Sequence, residues 1–332
     1  MTRIAVAILN YNGEHLLPQF LPSVVRFSGD ADVVVIDNAS TDGSLDWISR
    51  EYPHVRIIRL SENLGYCGGY NTGLKEIDAD VVVLLNSEVE VTADWLTAPV
   101  QLFDADPMLF AVQPKILRWK ERNRFDYAGA GGGFIDALGY PYCRGRLLDQ
   151  LEEDHGQYND TCSVAWASGA CMFVRKDVFH SLGGFETSFF AHMEEIDLCW
   201  RASRNGHRIR YCGASTVYHL GGGTLPVSSP KKTYLNFRNN LSLLFRNLPA
   251  GRLVWLLPVR FVLDLLASVS FLLRGQARSA VNVLRAHGQF MMCLPWEIER
   301  RSSVAGKGYA LTGERGNVTS VIWQRYVAGR NT

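Results

Sequence analysis

Four short runs of β-branched apolar residues, RIAVAILN (3–10), DVVVIDN (32–38), VRIIRL (55–60) and DVVVLLN (80–86), punctuate the N-terminal part of the chain. Their apolar positions are nearly continuous rather than alternating, as in strands buried on both faces. Between them, segments such as GSLDWISREY (43–52) and GGYNTGLKEI (68–77) have helical length and pattern. This repeated alternation predicts an α/β, Rossmann-like, mostly parallel sheet with right-handed crossovers. Ligands in such sheets bind beyond the carboxyl ends of the strands, which here read Asn10-Tyr11-Asn12, Asp37-Asn38 and Asn86-Ser87-Glu88.

A mixed region follows, with a glycine stretch AGAGGGF (128–134) and strands expected around 166–175 and 208–219. The glycines do not form a dinucleotide fingerprint, because Phe134 stands where the last glycine of GxGxxG would fall and no apolar strand leads in. They read as a loop or bent strand. From about 229 to about 290 the pattern turns helical and basic, and the last forty residues read as irregular.

Charge sharpens that division. Residues 1–228 hold 29 acidic against 19 basic side chains, whereas residues 229–332 hold 4 against 15. The expected organisation is therefore an acidic catalytic domain (1–228) followed by a basic, apolar helical region (229–332). A basic tail implies an anionic partner, nucleic acid or a membrane surface. The run LVWLLPVRFVLDLLASVSFLL (253–273) is too apolar for an arm that tracks nucleic-acid phosphates, so no nucleic-acid partner is expected. It has the length of a membrane span, but Pro258, Arg260 and Asp264 interrupt it, and each mid-bilayer charge costs at least ~2.5 kcal/mol. Arg260 and Asp264 stand four apart and share one helical face. A helix lying in an anionic membrane interface fits better, flanked by Lys231, Lys232, Arg238, Arg246, Arg274, Arg278 and Arg285. The competing reading is a buried helix of a soluble C-terminal bundle. Seven cysteines without a CxxC pair indicate neither a disulfide framework nor a zinc module. No signal peptide precedes the first strand, so the protein is expected in the cytoplasm, peripheral on the inner face of the membrane.

Glu194, Glu195 and Asp197 fall within four residues of one another in FFAHMEEIDLCWRA. A helix opening near His192 would carry all three in its first turn, where the dipole and unpaired N–H groups favour negative charge. The aromatic and glycine flank SLGGFETSFF would bury one side, and buried acids are paired, metal-bound or chemically used. Asp37 can accept hydrogen bonds from a nucleobase or ribose, although Asp and Asn at a strand end also simply make turns. Asn71, in a glycine-rich segment, is placed on the same crevice. Glu88 follows an apolar strand as a natural ligand for Mg²⁺ or Mn²⁺ on a diphosphate, and His219, ending a β-like run, could add a nitrogen.

Taken in order, VAILNYNG, VIDNASTDGS, NLGYCGGYNTG, VVVLLNSEVEV, SGACMFVRKDVF, LGGFETSFFAHMEEIDLCWRASRNGHRI and VYHLGGGT closely resemble the family 2 inverting glycosyltransferases of GT-A fold, in particular the bacterial rhamnosyltransferase-like branch. The resemblance covers about residues 3–223. It implies a nucleotide-diphosphate sugar donor, with dTDP-L-rhamnose favoured, a divalent cation, and a glycan or polyprenyl-linked acceptor in polysaccharide synthesis. Carried over, Asp37 resembles the base-recognising aspartate, Asn10 and Tyr11 the nucleoside pocket, and Asn86-Ser87-Glu88 the DxD-type motif with Glu88 on the metal. Glu195 falls on the general base, with Glu194 and Asp197 orienting the helix, and His219 on the metal-contacting histidine. Trp166, Ser168 and Gly169 would border the acceptor. Three positions in two motifs depart from the pattern: Asn86 and Glu88 replace aspartates of the metal motif, and Glu195 replaces the usual base aspartate. A non-catalytic scaffold is the alternative those replacements suggest. A nucleotidyltransferase would need a basic glycine-rich N-terminal loop, which LNYNGEHLL (9–17) lacks.

Overall fold

The computed structural model describes residues 2–221, 229–304, 320–326 and 328. Its first half follows the predicted alternation: β1 (Ile4–Asn10), α1 (Leu17–Phe27), β2 (Asp32–Asp37), α2 (Ser44–Glu51), β3 (Arg56–Arg59), α3 (Gly65–Gly73) and β4 (Val81–Asn86). These strands pair in parallel in the order β3-β2-β1-β4, and the register sets Asn10 opposite Asp37 and Asn86 beside Leu9. The polar strand ends are thus neighbours. Helix α3 lies close on this sheet because it is glycine-rich. A Cβ on Gly73 would come within 2.6 Å of the Ile36 side chain, and one on Gly69 within 2.7 Å of Leu9, so these two glycines serve helix-to-sheet packing.

The second half brings the chain back. After β5 (Val89–Val91), α4 (Thr97–Ala105) and β6 (Leu109–Arg118) comes a small antiparallel sheet of β7 (Gly133–Ile135), β8 (Pro141–Cys143), β9 (Arg146–Leu147) and β10 (Gln150–Leu151). The glycine stretch is accordingly a loop leading into β7. Then follow β11 (Thr161–Ser163), β12 (Cys171–Arg175), α5 (Lys176–Ser181), α6 (Glu194–Arg204) and β13 (Arg208–His219). Strand β12 inserts antiparallel between β4 and β6, while β13 runs parallel to β6, giving the order β11-β13-β6-β12-β4-β1-β2-β3. The far end of β13 pairs with β5 so that His219 faces Val89. That register delivers His219 to Glu88.

The C-terminal helices are α7 (Pro230–Asn247), α8 (Ala250–Leu273), α9 (Ala277–Met292), α10 (Leu294–Val304) and α11 (Val321–Tyr326). The expected domain boundary at 228 lies outside the described residues. Helix α10 replaces part of the irregular tail expected from sequence; residues 305–319 lie outside the described set. Helices α8 and α9 form a hairpin whose turn uses Gly275 at φ 73°, with the Gly275 and Gln276 N–H groups closing the last turn of α8.

The hairpin has an unusual polarity. On α8 the buried stripe is Leu253, Leu256, Arg260, Asp264 and Ser268, while Val254, Trp255, Phe261, Val262, Leu265 and Leu266 are exposed. Arg260 and Asp264 do share one face, and that face packs on protein. Only 22% of the most apolar stretch of α8 is buried. It remains long and apolar enough, by composition, to cross a membrane.

Candidate active site

Helix α6 opens at Glu194, two residues later than its expected start. The backbone just before it is left-handed at three non-glycine residues, Phe190 (φ 64°), His192 (φ 69°) and Met193 (φ 75°). Such conformations cost about 1–3 kcal/mol each and need a surrounding structure that holds them. Helix α7 supplies it. The fully buried Asn239 has its Nδ2 2.7 Å from the His192 carbonyl and 2.9 Å from that of Ala191, and Arg238 donates to the Ser188 carbonyl at 2.8 Å. A helix from beyond the predicted boundary therefore fixes the turn that aims the acids.

The three acids divide by environment. Asp197 accepts from Arg201 Nε at 2.7 Å and from Asn247 Nδ2 of α7 at 3.1 Å, so its carboxylate ties α6 to its surroundings. Glu194 and Glu195 each leave a buried Oε2 without a hydrogen-bond partner among the described residues. Burial, aided by the neighbouring Glu195 charge, raises the Glu194 carboxyl well above the ordinary range. Burial also raises Glu195, against backbone N–H groups at the helix start, to about 7. A carboxylate near 7 is matched to general base work at neutral pH.

Across from them, His219 Nε2 lies 3.2 Å from Glu88 Oε1, and its Nδ1 lies 2.9 Å from Asp126 Oδ1. Burial would lower the imidazole, but the hydrogen bonds and charges of Asp126 and Glu88 outweigh it and hold it up at about 9. The group fits a divalent cation. Asp126 orients the ring from Nδ1 and leaves Nε2 as the ligand atom, the usual carboxylate–histidine arrangement behind a metal. Glu88 Oε2 is buried and unpartnered. Among the described residues no set of three or more His, Cys, Asp or Glu side chains is grouped to hold an ion, so a metal here would complete its shell with diphosphate oxygens or water.

Both groups open on one cavity of about 450 Å³, within the size range of small-molecule sites. Of the residues singled out from sequence, Asn86, Glu88, Trp166, Ser168, Gly169, Glu194, Glu195 and His219 line it. Asn10, Tyr11, Asp37, Asn71, Ser87 and Asp197 do not. Asp37 is buried, accepting from Asn10 Nδ2 at 3.2 Å and the Ser40 N–H at 3.1 Å, while Tyr11 beside it is half exposed. Asn71 exchanges hydrogen bonds with the backbone of Phe185, both at 2.8 Å. Its amide ties α3 to the segment before α6. Asp126 was not anticipated, since a lone aspartate before a tyrosine carries no periodic signal. Nor were Tyr66, whose hydroxyl donates to the Gly169 carbonyl, or the α7 and α8 residues Lys232, Asn236, Asn240 and Arg260 that form the outer wall.

An α/β sheet with nucleotide-fold topology, and a cavity combining two half-satisfied acids with a carboxylate–histidine pair, define a glycosyltransferase of GT-A type. Residues 5–183 match glycosyl transferase family 2, and the chain belongs to that family. It is 27% identical over 245 residues to the low-salt glycan biosynthesis hexosyltransferase Agl10 of Haloferax volcanii, covering 71% of this chain and 73% of that protein. It is likewise 27% identical over 233 residues to the N-acetylglucosaminyl-diphospho-decaprenol L-rhamnosyltransferase of Mycobacterium tuberculosis, covering 64% of this chain and 74% of that protein. The mannosyltransferase of Pyrobaculum calidifontis, solved with GDP-Man and Mn²⁺, has the same fold at TM-score 0.53 and 17% identity, over 92% of this chain and 86% of that one.

Proposed function

We propose that this glycosyltransferase moves a hexosyl unit, rhamnose from dTDP-L-rhamnose being favoured, to a sugar on a lipid diphosphate at the cytoplasmic face of the inner membrane. The observation that carries the reading is the pair of unpartnered acids, Glu194 and Glu195, lining the same cavity as Glu88 and His219. In the reaction Glu195 takes the proton from the acceptor hydroxyl. That oxygen bonds to the anomeric carbon from the face opposite the nucleotide, and the bond to the diphosphate oxygen breaks with its electron pair, so configuration inverts. Burial and the neighbouring Glu195 charge raise the Glu194 carboxyl, which disfavours a second charge in the pair. A Mg²⁺ or Mn²⁺ ion held by Glu88 and His219 would neutralise charge on the departing nucleoside diphosphate. Asp37 and Asn10 stand on adjoining strand ends for the nucleoside.

The membrane reading is supported by α8 and α9, which expose Phe261, Leu265, Leu266, Leu284 and Met291 while the charges of α8 face protein. A helix with its charged face packed on its own domain fits a bilayer surface better than a span. The test is transfer by purified protein with Mn²⁺, a panel of nucleotide sugars and a synthetic sugar-diphospho-lipid. Product of inverted linkage, abolished by EDTA, is expected. Absence of transfer from every donor, or full turnover in EDTA, would overturn the respective parts.

A further inference from the structure

The outer wall of the cavity is cationic, and the reaction as described leaves those cations without a task. Arg146 sits with its guanidinium carbon 4.2 Å from the centre of the Tyr127 ring, and Lys232 Nζ lies 5.5 Å from the same ring. Tyr127, Arg146 and Lys232 all line the cavity that holds Glu195. Among the described residues no carboxylate pairs with Arg146 or Lys232. Arg146 Nε is buried without a partner. Arg260, only 2% exposed, reaches the same cavity from α8, stacked 3.8 Å from the Tyr140 ring, and its Nε is also unpartnered. Arg260 also meets Asp264 at 3.5 Å, whereas Arg146 and Lys232, half-buried on the cavity wall, meet no carboxylate among the described residues and have donors that an entering anion would complete.

We infer that Arg146, Lys232 and Arg260 form a subsite for the diphosphate of the acceptor. This rests on the reading of the protein as a lipid-linked glycosyltransferase. The position of Arg260 favours the acceptor over the donor as the source of the anion. It stands on the inner face of α8, whose outer face exposes Val262 and Leu266, so a ligand with an anionic head and an apolar tail matches both sides of one helix. The donor's nucleoside end belongs instead at Asn10 and Asp37, which do not line this cavity. Since the subsite and Glu195 border one cavity of about 450 Å³, the accepting hydroxyl belongs to a sugar attached directly to the diphosphate rather than to the end of a long glycan.

The test uses the whole protein and dodecyl diphosphate, titrated by tryptophan fluorescence in the presence of saturating Mn²⁺ and nucleoside diphosphate. Binding is expected, weakened about tenfold or more in Lys232→Ala and restored in Lys232→Arg, as for a charge-assisted hydrogen bond. In transfer assays the same alanine variant should raise KM for a sugar-diphospho-lipid and leave KM for the nucleotide sugar unchanged. Displacement of the probe by nucleoside diphosphate, equal binding of an uncharged dodecyl glycoside, or a shift confined to the donor KM would each overturn the inference. Dodecyl diphosphate binding with this Lys232 dependence, but without transfer to any acceptor, would keep the subsite and remove the sugar-transfer reading on which its role depends.

Discussion

The cavity and the C-terminal helices both bury charge, and they treat it in opposite ways. In the helices the buried ions meet counter-ions: Arg246 Nε donates to Glu297 at 2.6 Å and its guanidinium meets Glu186 at 3.3 Å, while Asp264 accepts from His287 at 3.0 Å and meets one end of the Arg260 guanidinium at 3.5 Å. In the cavity the acids are left half-satisfied, with Glu88, Glu194 and Glu195 each holding a buried oxygen that bonds nothing among the described residues. A tied charge specifies how elements pack. An untied one costs stability and is kept where a substrate or ion completes it.

The sharpest break of that contrast is Glu195→Gln, which keeps the shape and removes the base. Transfer should fall by ~10³-fold, the scale of a lost general base, with the fold intact by circular dichroism. The opposite result is expected among the tied charges. Glu297→Ala strips Arg246 of its closest partner and should lower the unfolding free energy in urea by roughly 3 kcal/mol, with activity per folded molecule retained.

Asn239→Ala tests the seam between the two regions. The left-handed turn before α6 loses its bonds to α7, and kcat should drop about 10- to 100-fold from misplaced acids, with donor KM nearly unchanged. A fall in stability with kcat preserved would make Asn239 purely structural. Least in size, Leu266→Glu should cut partition onto anionic vesicles roughly tenfold, the worth of one buried leucine, and leave turnover on a soluble short-chain acceptor as it was.

The parallel half of the sheet was legible because its strands are buried on both faces and read as unbroken apolar runs. Glu88, His219 and Glu195 were legible because each ends a strand or opens a helix in a recognisable block. What could not be read was the closure. The pairing of β13 with β5 that seats His219 beside Glu88 is a long-range register, and Asp126 enters from a loop with no period at all. Nor could the sequence show that the Asn71 amide bonds the Phe185 backbone, a contact between residues far apart in the chain. The charge partition set the C-terminal helices apart by net charge, but it concealed that α7 and α8 build a wall of the cavity. Net charge says nothing about which few side chains of a basic helix turn inward.

The most direct test of the account is thermal unfolding of the metal-free wild type and Glu195→Gln from pH 5 to pH 8. Burial raises the folded Glu195 carboxyl from its ordinary 4.5 to about 7. Between those values the folded state binds more protons than the unfolded one, so the stability this group contributes is present at low pH and is lost as pH rises through 7. Glutamine does not titrate. The account predicts that the Tm of Glu195→Gln exceeds that of the wild type by a margin that widens toward pH 8, alongside lost transfer; a variant equally or less stable at pH 8, or one still active, would contradict it.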